Sequence, residues 1–134
     1  LKIIDVFVMK IETKRDVVVT RQQITVTAQE IGMSSMKETQ LRTAASELLS
    51  NMIRYAGSGV ATIEKIEAEG RNGVRARFED QGPGIADIES ALSKGYSTGK
   101  SLGHGLSGCR NLVDLFEFES EPGKGTRAVI TKWK

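Results

Sequence analysis

The sequence has little cysteine: Cys109 is the only one. One thiol cannot close a disulfide within the chain, which suits a reducing compartment. Excess charge is also scarce. The formal net charge is +2, too mild to imply a nucleic-acid partner, and no basic run of five or more residues is interleaved with aromatics. Long apolar runs are missing too. None approaches the length of about 20 residues that a membrane-spanning helix needs. There is no internal repeat, no low-complexity tract and no secretory leader pattern, so the expected setting is the cytoplasm, with no membrane partner. What remains is a chain of 134 residues with 39% hydrophobic and 27% charged side chains. That composition fits one domain over 1–134 with enough chain to bury a real core.

Lys2 to Ile11 is apolar and β-branched and reads as a strand, punctuated by Lys14 and Arg15. Val17 to Ile31 is ambiguous. Its valines and threonines favour strand, but Val17, Arg21, Ile24, Ala28 and Ile31 step at helical spacing and Gly32 is a good stop. Length also favours helix, with Asp16 as the expected N-cap. A second helix opens at Ser34 or Ser35, with Glu38 completing a capping box from Ser35. Its apolar stripe is Leu41, Ala44, Ala45, Leu48, Met52 and Tyr55, and Gly57 and Gly59 end it.

Val60 to Glu69 alternates as a strand, Gly70-Arg71-Asn72-Gly73 forms a hairpin turn, and Val74 to Glu79 returns. A short helix is expected within Ile85 to Gly95, opened by Asp87, then a loop from Tyr96 to Leu102. Gly105 to Phe116 reads as helix, Glu117 to Glu121 as strand, Glu121 to Gly125 as turn, and Thr126 to Trp133 as the last strand. Antiparallel strand pairs with the long helices apart predict an α+β fold: a two-layer α/β sandwich whose mixed, mostly antiparallel sheet is covered on one face by helices.

The chemistry is concentrated between Asp80 and Gly108. The stretch opens with Asp80-Gln81-Gly82-Pro83-Gly84 and closes with Gly103-His104-Gly105-Leu106-Ser107-Gly108. Glycines allow close backbone approach to a ligand, and a helix N-terminus offers free N–H groups to phosphate. Upstream, Glu47 and Asn51 lie one helical turn apart. Alone, that pair reads more readily as a solvated edge of an amphipathic helix than as a site.

Two patterns are decoys. Gly95-Tyr96-Ser97-Thr98-Gly99-Lys100-Ser101 is one residue short of G-x-x-x-x-G-K-S/T and lacks the preceding buried strand. Gly103, Gly105 and Gly108 match G-x-G-x-x-G, but they follow a loop late in the chain, without the βαβ unit of a dinucleotide fold. Cys109 reads as a small core residue, and Trp133 and Phe7 as edge or core packing.

Taken together, Glu47 with Asn51, Asp80 to Gly84, Gly103 to Leu106 and Gly123 to Thr126 stand in a recognisable order. The chain resembles the GHKL superfamily of ATP-binding domains, the Bergerat fold shared by histidine kinases, gyrase, Hsp90 and MutL. Within it, the chain is similar to RsbT-type serine/threonine switch kinases of the bacterial stressosome, in the anti-sigma regulatory kinase family. The nearer likeness is carried by Ala45-Ser46-Glu47-Leu48 with Asn51, Tyr55-Ala56-Gly57, Glu79 through Ile85, and Gly95-Tyr96-Ser97-Thr98. It extends from about Glu12 onward.

That resemblance implies ATP and Mg²⁺ as cofactors and a set of roles. Asp80 would accept from the adenine amino group, because an ionised carboxylate only accepts. Gly82 and Gly84 would let the chain turn against the base, with Ile85 in the same nucleotide-binding set. Asn51 would hold Mg²⁺ through its amide oxygen. Glu47 would act as general base on the substrate hydroxyl or position it. Gly103, His104, Gly105 and Leu106 would bring backbone N–H groups to the phosphates, and Thr126 would lie near the base. Lys100 and Lys94 could reach the phosphates from the lid, and Arg110 could neutralise charge on the γ-phosphate; each reads equally as a surface side chain. His104, the one histidine, sits in the phosphate-binding turn rather than on a helical hairpin, which argues against transfer through histidine. A short lid argues against a clamping motor.

The implied activity is phosphorylation of Ser or Thr on STAS-domain antagonist or scaffold proteins. The implied partner of the free kinase is a PP2C-type phosphatase, which it activates. Three rivals stay open: an anti-sigma factor that binds a sigma factor directly, a non-catalytic ATP-sensing module, and a two-layer domain with coincidental glycines.

Overall fold

The computed structural model describes residues 1–82 and 105–134. In chain order these form β1 (Lys2–Ile11), α1 (Lys14–Glu30), α2 (Ser35–Asn51), a π-helical turn (Met52–Ala56), β2 (Gly59–Ala68) and β3 (Arg71–Asp80). After the undescribed stretch come α3 (Gly105–Leu112), β4 (Leu115–Glu121) and β5 (Gly125–Trp133). The five strands make one sheet in the order β1-β2-β3-β5-β4. Every described pairing is antiparallel, so the mostly antiparallel sheet that the sequence predicts has no parallel pair among the described residues.

Strand alternation sends every second side chain to the helix-covered face. Ala61 and Ile63 on β2, Val74, Ala76 and Phe78 on β3, and Ala128 and Ile130 on β5 are buried there. They pack with Ile24 and Ala28 of α1, Leu41, Ala44, Ala45, Leu48 and Leu49 of α2, and Leu106 and Cys109 of α3. Each large apolar side chain so buried stabilises by roughly 1.5–3 kcal/mol. The alternate positions carry charge: Arg75 Nε donates to Glu64 Oε1 at 2.6 Å, and Arg77 lies beside the same carboxylate. The expected α+β two-layer sandwich is the observed fold.

Several local expectations are corrected. α1 starts at Lys14, so Lys14 and Arg15 belong to its first turn rather than to a break. Thr13, not Asp16, is the N-cap. Thr13 Oγ1 accepts from the N–H of Asp16, while Asp16 Oδ2 accepts from the N–H groups of Thr13 and Glu12. These reciprocal bonds form a capping box, and donation by Glu12 above all holds the Asp16 carboxyl below its ordinary range. The buried face of α1 is Thr20, Ile24, Thr27 and Ala28. Thr20 and Thr27 reach it because each hydroxyl donates back to the carbonyl four residues earlier.

Ser34 caps α2 by accepting from the N–H of Lys37, so Glu38 is one position too late for the capping box expected with Ser35. Glu38 is buried and pairs with Arg42 instead. Tyr55 leaves the apolar stripe because the π-helical turn widens the helix after Asn51; its side chain is exposed. Gly57, at φ +83°, ends that turn, whereas Gly59 already belongs to β2.

The β2–β3 turn is Glu69-Gly70 rather than Asn72-Gly73. Ala68 pairs with Arg71, leaving a two-residue loop with φ of 52° and 79°. Gly73 has a different purpose. A Cβ there would lie 2.6 Å from Cε3 of Trp133, whose ring packs over that point of β3. The last helix stops at Leu112, and Phe116 stands on β4. The short helix expected within Ile85 to Gly95 and the loop from Tyr96 to Leu102 lie outside the described residues.

Gly125 and Gly123 separate two costs. Both have left-handed φ, but a Cβ on Gly123 meets nothing within 4 Å, whereas one on Gly125 would collide with the Asp80 carbonyl. Gly123→Ala is expected to lose about 1 kcal/mol from backbone strain alone. Gly125→Ala should lose clearly more, about 2–4 kcal/mol, in urea unfolding. Equal losses would show that the Asp80 carbonyl does not approach Gly125 this closely.

Candidate active site

The site is assembled at one end of the sheet. Asp80 is the last residue of β3 and pairs with Thr126 of β5, which pairs with Ser120 of β4. The three therefore form a polar row across three strands. It continues the helix-facing rows of Phe78, Ala128 and Phe118 to the point where the core gives out. Asp80 is held in place locally: its Oδ1 accepts from the N–H of Gly82 at 2.9 Å. Ser120 Oγ donates to the Gly125 carbonyl at 3.2 Å and lies 2.9 Å from Thr126 Oγ1. These residues border an open concavity of about 410 Å³, lined also by Glu79, Gln81 and Lys124.

Gly82 is required by space. A Cβ there would fall 2.6 Å from Cβ of Ala56, so the loop leaving β3 passes directly against the π-helical turn that follows α2. That contact brings the Asp80 end of the sheet to the Asn51 end of α2.

Glu47 and Asn51 are both half-buried, not the solvated pair that an amphipathic helix edge would give. Glu47 Oε1 is fully shielded from solvent and has no hydrogen-bond partner among the described residues. A buried acceptor left unmatched is costly, so it needs a reason. Its surroundings are the packing of α2 against α3. Cys109 of α3 is 2% exposed and donates its S–H to the Ala44 carbonyl at 3.4 Å. Burial first, and then the negative charge of Glu47, push the Cys109 thiol up to about 12. At neutral pH the thiol therefore stays protonated, and Glu47 is near enough to act on it electrostatically.

α3 begins at Gly105, as expected, with the unmatched N–H groups of its first turn at that end. The Leu106 side chain is buried in the core, so only its backbone is available to a ligand. Gly84, Ile85, Lys94, Lys100, Gly103 and His104 lie outside the described residues. Among the described residues no group of three or more His, Cys, Asp and Glu side chains could hold a metal by itself. A single amide such as Asn51 would suit a hard cation that keeps its water and takes its other ligands from phosphate. No described helix is long and apolar enough to cross a membrane.

Sequence reasoning missed Ser120 and the proximity of Cys109 to Glu47. Ser120 was accessible, because a turn closing at Gly125 sets Ser120 opposite Thr126. The helix–helix approach was not, because nothing local encodes the α2–α3 crossing.

Residues 36–134 match the family described as histidine kinase-, DNA gyrase B- and HSP90-like ATPase, and the chain belongs to that family. Its fold agrees. The structure of the RsbU and RsbW domains of Rv1364c from Mycobacterium tuberculosis superposes with a TM-score of 0.67 at 19% identity, covering 97% of this chain and 33% of that longer one. Nearer in sequence is the serine/threonine-protein kinase RsbT of Bacillus subtilis, 39% identical over 125 residues, covering 93% of this chain and 94% of that protein. Anti-sigma F factors of Caldanaerobacter subterraneus and Clostridium kluyveri are 32% and 34% identical over 99 residues, covering 69% and 70% of this chain and 68% and 69% of theirs. The chain is thus an ATP-using serine/threonine-protein kinase, akin to kinases and anti-sigma factors of sigma-factor regulation.

The inertness of Cys109 can be measured directly. Iodoacetamide at pH 8 should leave the folded protein unmodified while labelling the urea-unfolded chain, read by mass spectrometry. Rapid labelling of the folded protein would mean that the α2–α3 seam is open.

Proposed function

We propose that residues 1–134 work as a single kinase domain that moves the γ-phosphoryl group of ATP to a Ser or Thr of a STAS-domain antagonist or scaffold protein in the cytoplasm. When free, the kinase binds and activates a PP2C-type phosphatase, and phosphorylation of the antagonist frees it to do so. The observation that carries the transfer reading is the shielded, partnerless Oε1 of Glu47, one helical turn before Asn51 and close to α3.

Asp80 accepts from the adenine amino group, with Oδ1 already fixed by Gly82. Guanine carries a carbonyl at that position and would set acceptor against acceptor. Thr126, opposite Asp80, borders the same base. Gly82, with Gly84 and Ile85 beyond it, keeps the chain close to the ring. The first turn of α3, with Gly103, His104, Gly105 and the backbone of Leu106, faces the phosphates, where unmatched N–H groups favour anions. Lys100 adds a cation from the lid. Asn51 holds Mg²⁺ through its amide oxygen, and the ion supplies charge neutralisation on the phosphates when bound. Glu47 takes or orients the proton of the substrate hydroxyl. Its carboxylate fits that role because one oxygen lacks a donor in this state, leaving the group free to turn toward a hydroxyl.

A second reading, an anti-sigma factor that binds a sigma factor directly, is favoured by the two anti-sigma F factor relatives. Pull-down with a sigma factor against a PP2C-type phosphatase separates the two. Transfer itself is tested with labelled ATP, Mg²⁺ and a candidate STAS protein, followed by phosphosite mapping. Glu47→Gln should still bind ATP in calorimetry while phosphorylation falls by about 10²–10⁴. Asp80→Asn should lose ATP binding. Full transfer by the Glu47→Gln protein would remove Glu47 from the chemistry, whereas ATP binding without any transfer by the unaltered chain would leave the ATP-sensing module as the better reading.

A further inference from the structure

Lys132 is a buried cation that the proposed chemistry does not use. It stands on β5 in the helix-facing series of Thr126, Ala128 and Ile130, and it is 7% exposed. Its Nζ donates to Oε1 of Gln40 on α2 at 2.9 Å and to the carbonyl of Leu112, the last residue of α3, at 2.7 Å. Withdrawing an ammonium group from water is costly, and an apolar side chain of similar length would fill the space without that penalty. The Leu112 carbonyl is one of the four that a helix leaves unmatched at its C-terminus, where the helix dipole favours a cation.

One charge therefore ties together three of the elements that carry the site. β5 carries Thr126, α2 carries Glu47 and Asn51, and α3 presents its N-terminus. α3 has only eight residues, a rod of about 12 Å. Fixing its C-terminal carbonyl decides where its other end points.

We propose that Lys132 is a positioning residue for the phosphate end of the ATP site: it holds α3 against α2 and β5 so that the first turn of α3 meets the triphosphate. The proposal rests on reading that turn as the phosphate cradle. It assigns Lys132 no contact with ATP and no part in adenine binding.

The two ends of the nucleotide separate positioning from simple stabilisation. The test is calorimetry on the full chain with ATP and Mg²⁺ and, separately, with adenosine. Lys132→Met should weaken ATP by about tenfold, the scale of removing a partly buried helix-terminal charge. Adenosine affinity should stay within about twofold. Lys132→Arg, which keeps a cation at the α3 terminus, should recover part of the ATP affinity. Gln40→Met leaves the bond to Leu112 in place and should raise the ATP-to-adenosine ratio of dissociation constants by a smaller factor. If Lys132→Met does not fold, the Gln40→Met ratio decides, and an unchanged ratio overturns the proposal. Equal losses for both ligands, or none for either, also overturn it while leaving the kinase reading intact. A wild-type chain that binds neither ligand would overturn both.

Discussion

The site depends first on the pairing register of three strands. Asp80, Thr126 and Ser120 fall in one row only because β3, β5 and β4 pair as they do. A slip of one residue would send Asp80 to the opposite face of the sheet and Phe78 out of the core with it. The same apolar side chains that build the core, Phe78, Ala128 and Ile130, thus also fix where the carboxylate points. Stability and placement are not separate achievements here. The burial of one row specifies the position of the next, at the margin where helices no longer cover the sheet.

The second constraint is the dry seam between α2 and α3. Cys109 and Ala44 bring the helices together, and Glu47 lies close enough to add to the rise in the Cys109 thiol's pKa. In such surroundings a carboxylate oxygen without a partner is a strained arrangement that folding alone does not favour. It is tolerable in a protein whose other state supplies the missing donor. Glu64, more deeply buried than Glu47, accepts from Arg75 and has Arg77 nearby, although Arg77 Nε is itself shielded without a partner among the described residues.

Much of the fold was legible in the sequence. The order of elements, the strands Lys2 to Ile11 and Thr126 to Trp133, and the helix bearing Glu47 and Asn51 all follow from periodicity and punctuation. The misreadings share a cause. The sequence favours Asp16 over Thr13, a capping box from Ser35 over a cap at Ser34, and Asn72-Gly73 over Glu69-Gly70, because a local signature can be satisfied in more than one register. Long-range pairing selects among them. Gly73 illustrates this: its glycine answers to Trp133, sixty residues away along the chain. The π-helical turn was invisible because no residue type announces it, yet it turns Tyr55 outward and brings Ala56 against Gly82.

The distribution of the site along the chain then has a physical meaning. Glu47 and Asn51 belong to a helix, Asp80 and Thr126 to adjacent strands, and the turn proposed to face the phosphates to a second helix. No single segment could recognise a nucleotide, which is why Gly103-x-Gly105-x-x-Gly108 is a weak motif alone. The elements must be held at fixed separations by contacts other than those with the ligand. Among the described residues Gly82 packs against Ala56 where the sheet meets the turn after α2, and the thiol of Cys109 bonds from α3 to α2. A core built only of interchangeable apolar side chains would tolerate small shifts between layers. Directional contacts at the seams convert a stable sandwich into one with defined spacing, and defined spacing is what transfer chemistry by positioning demands.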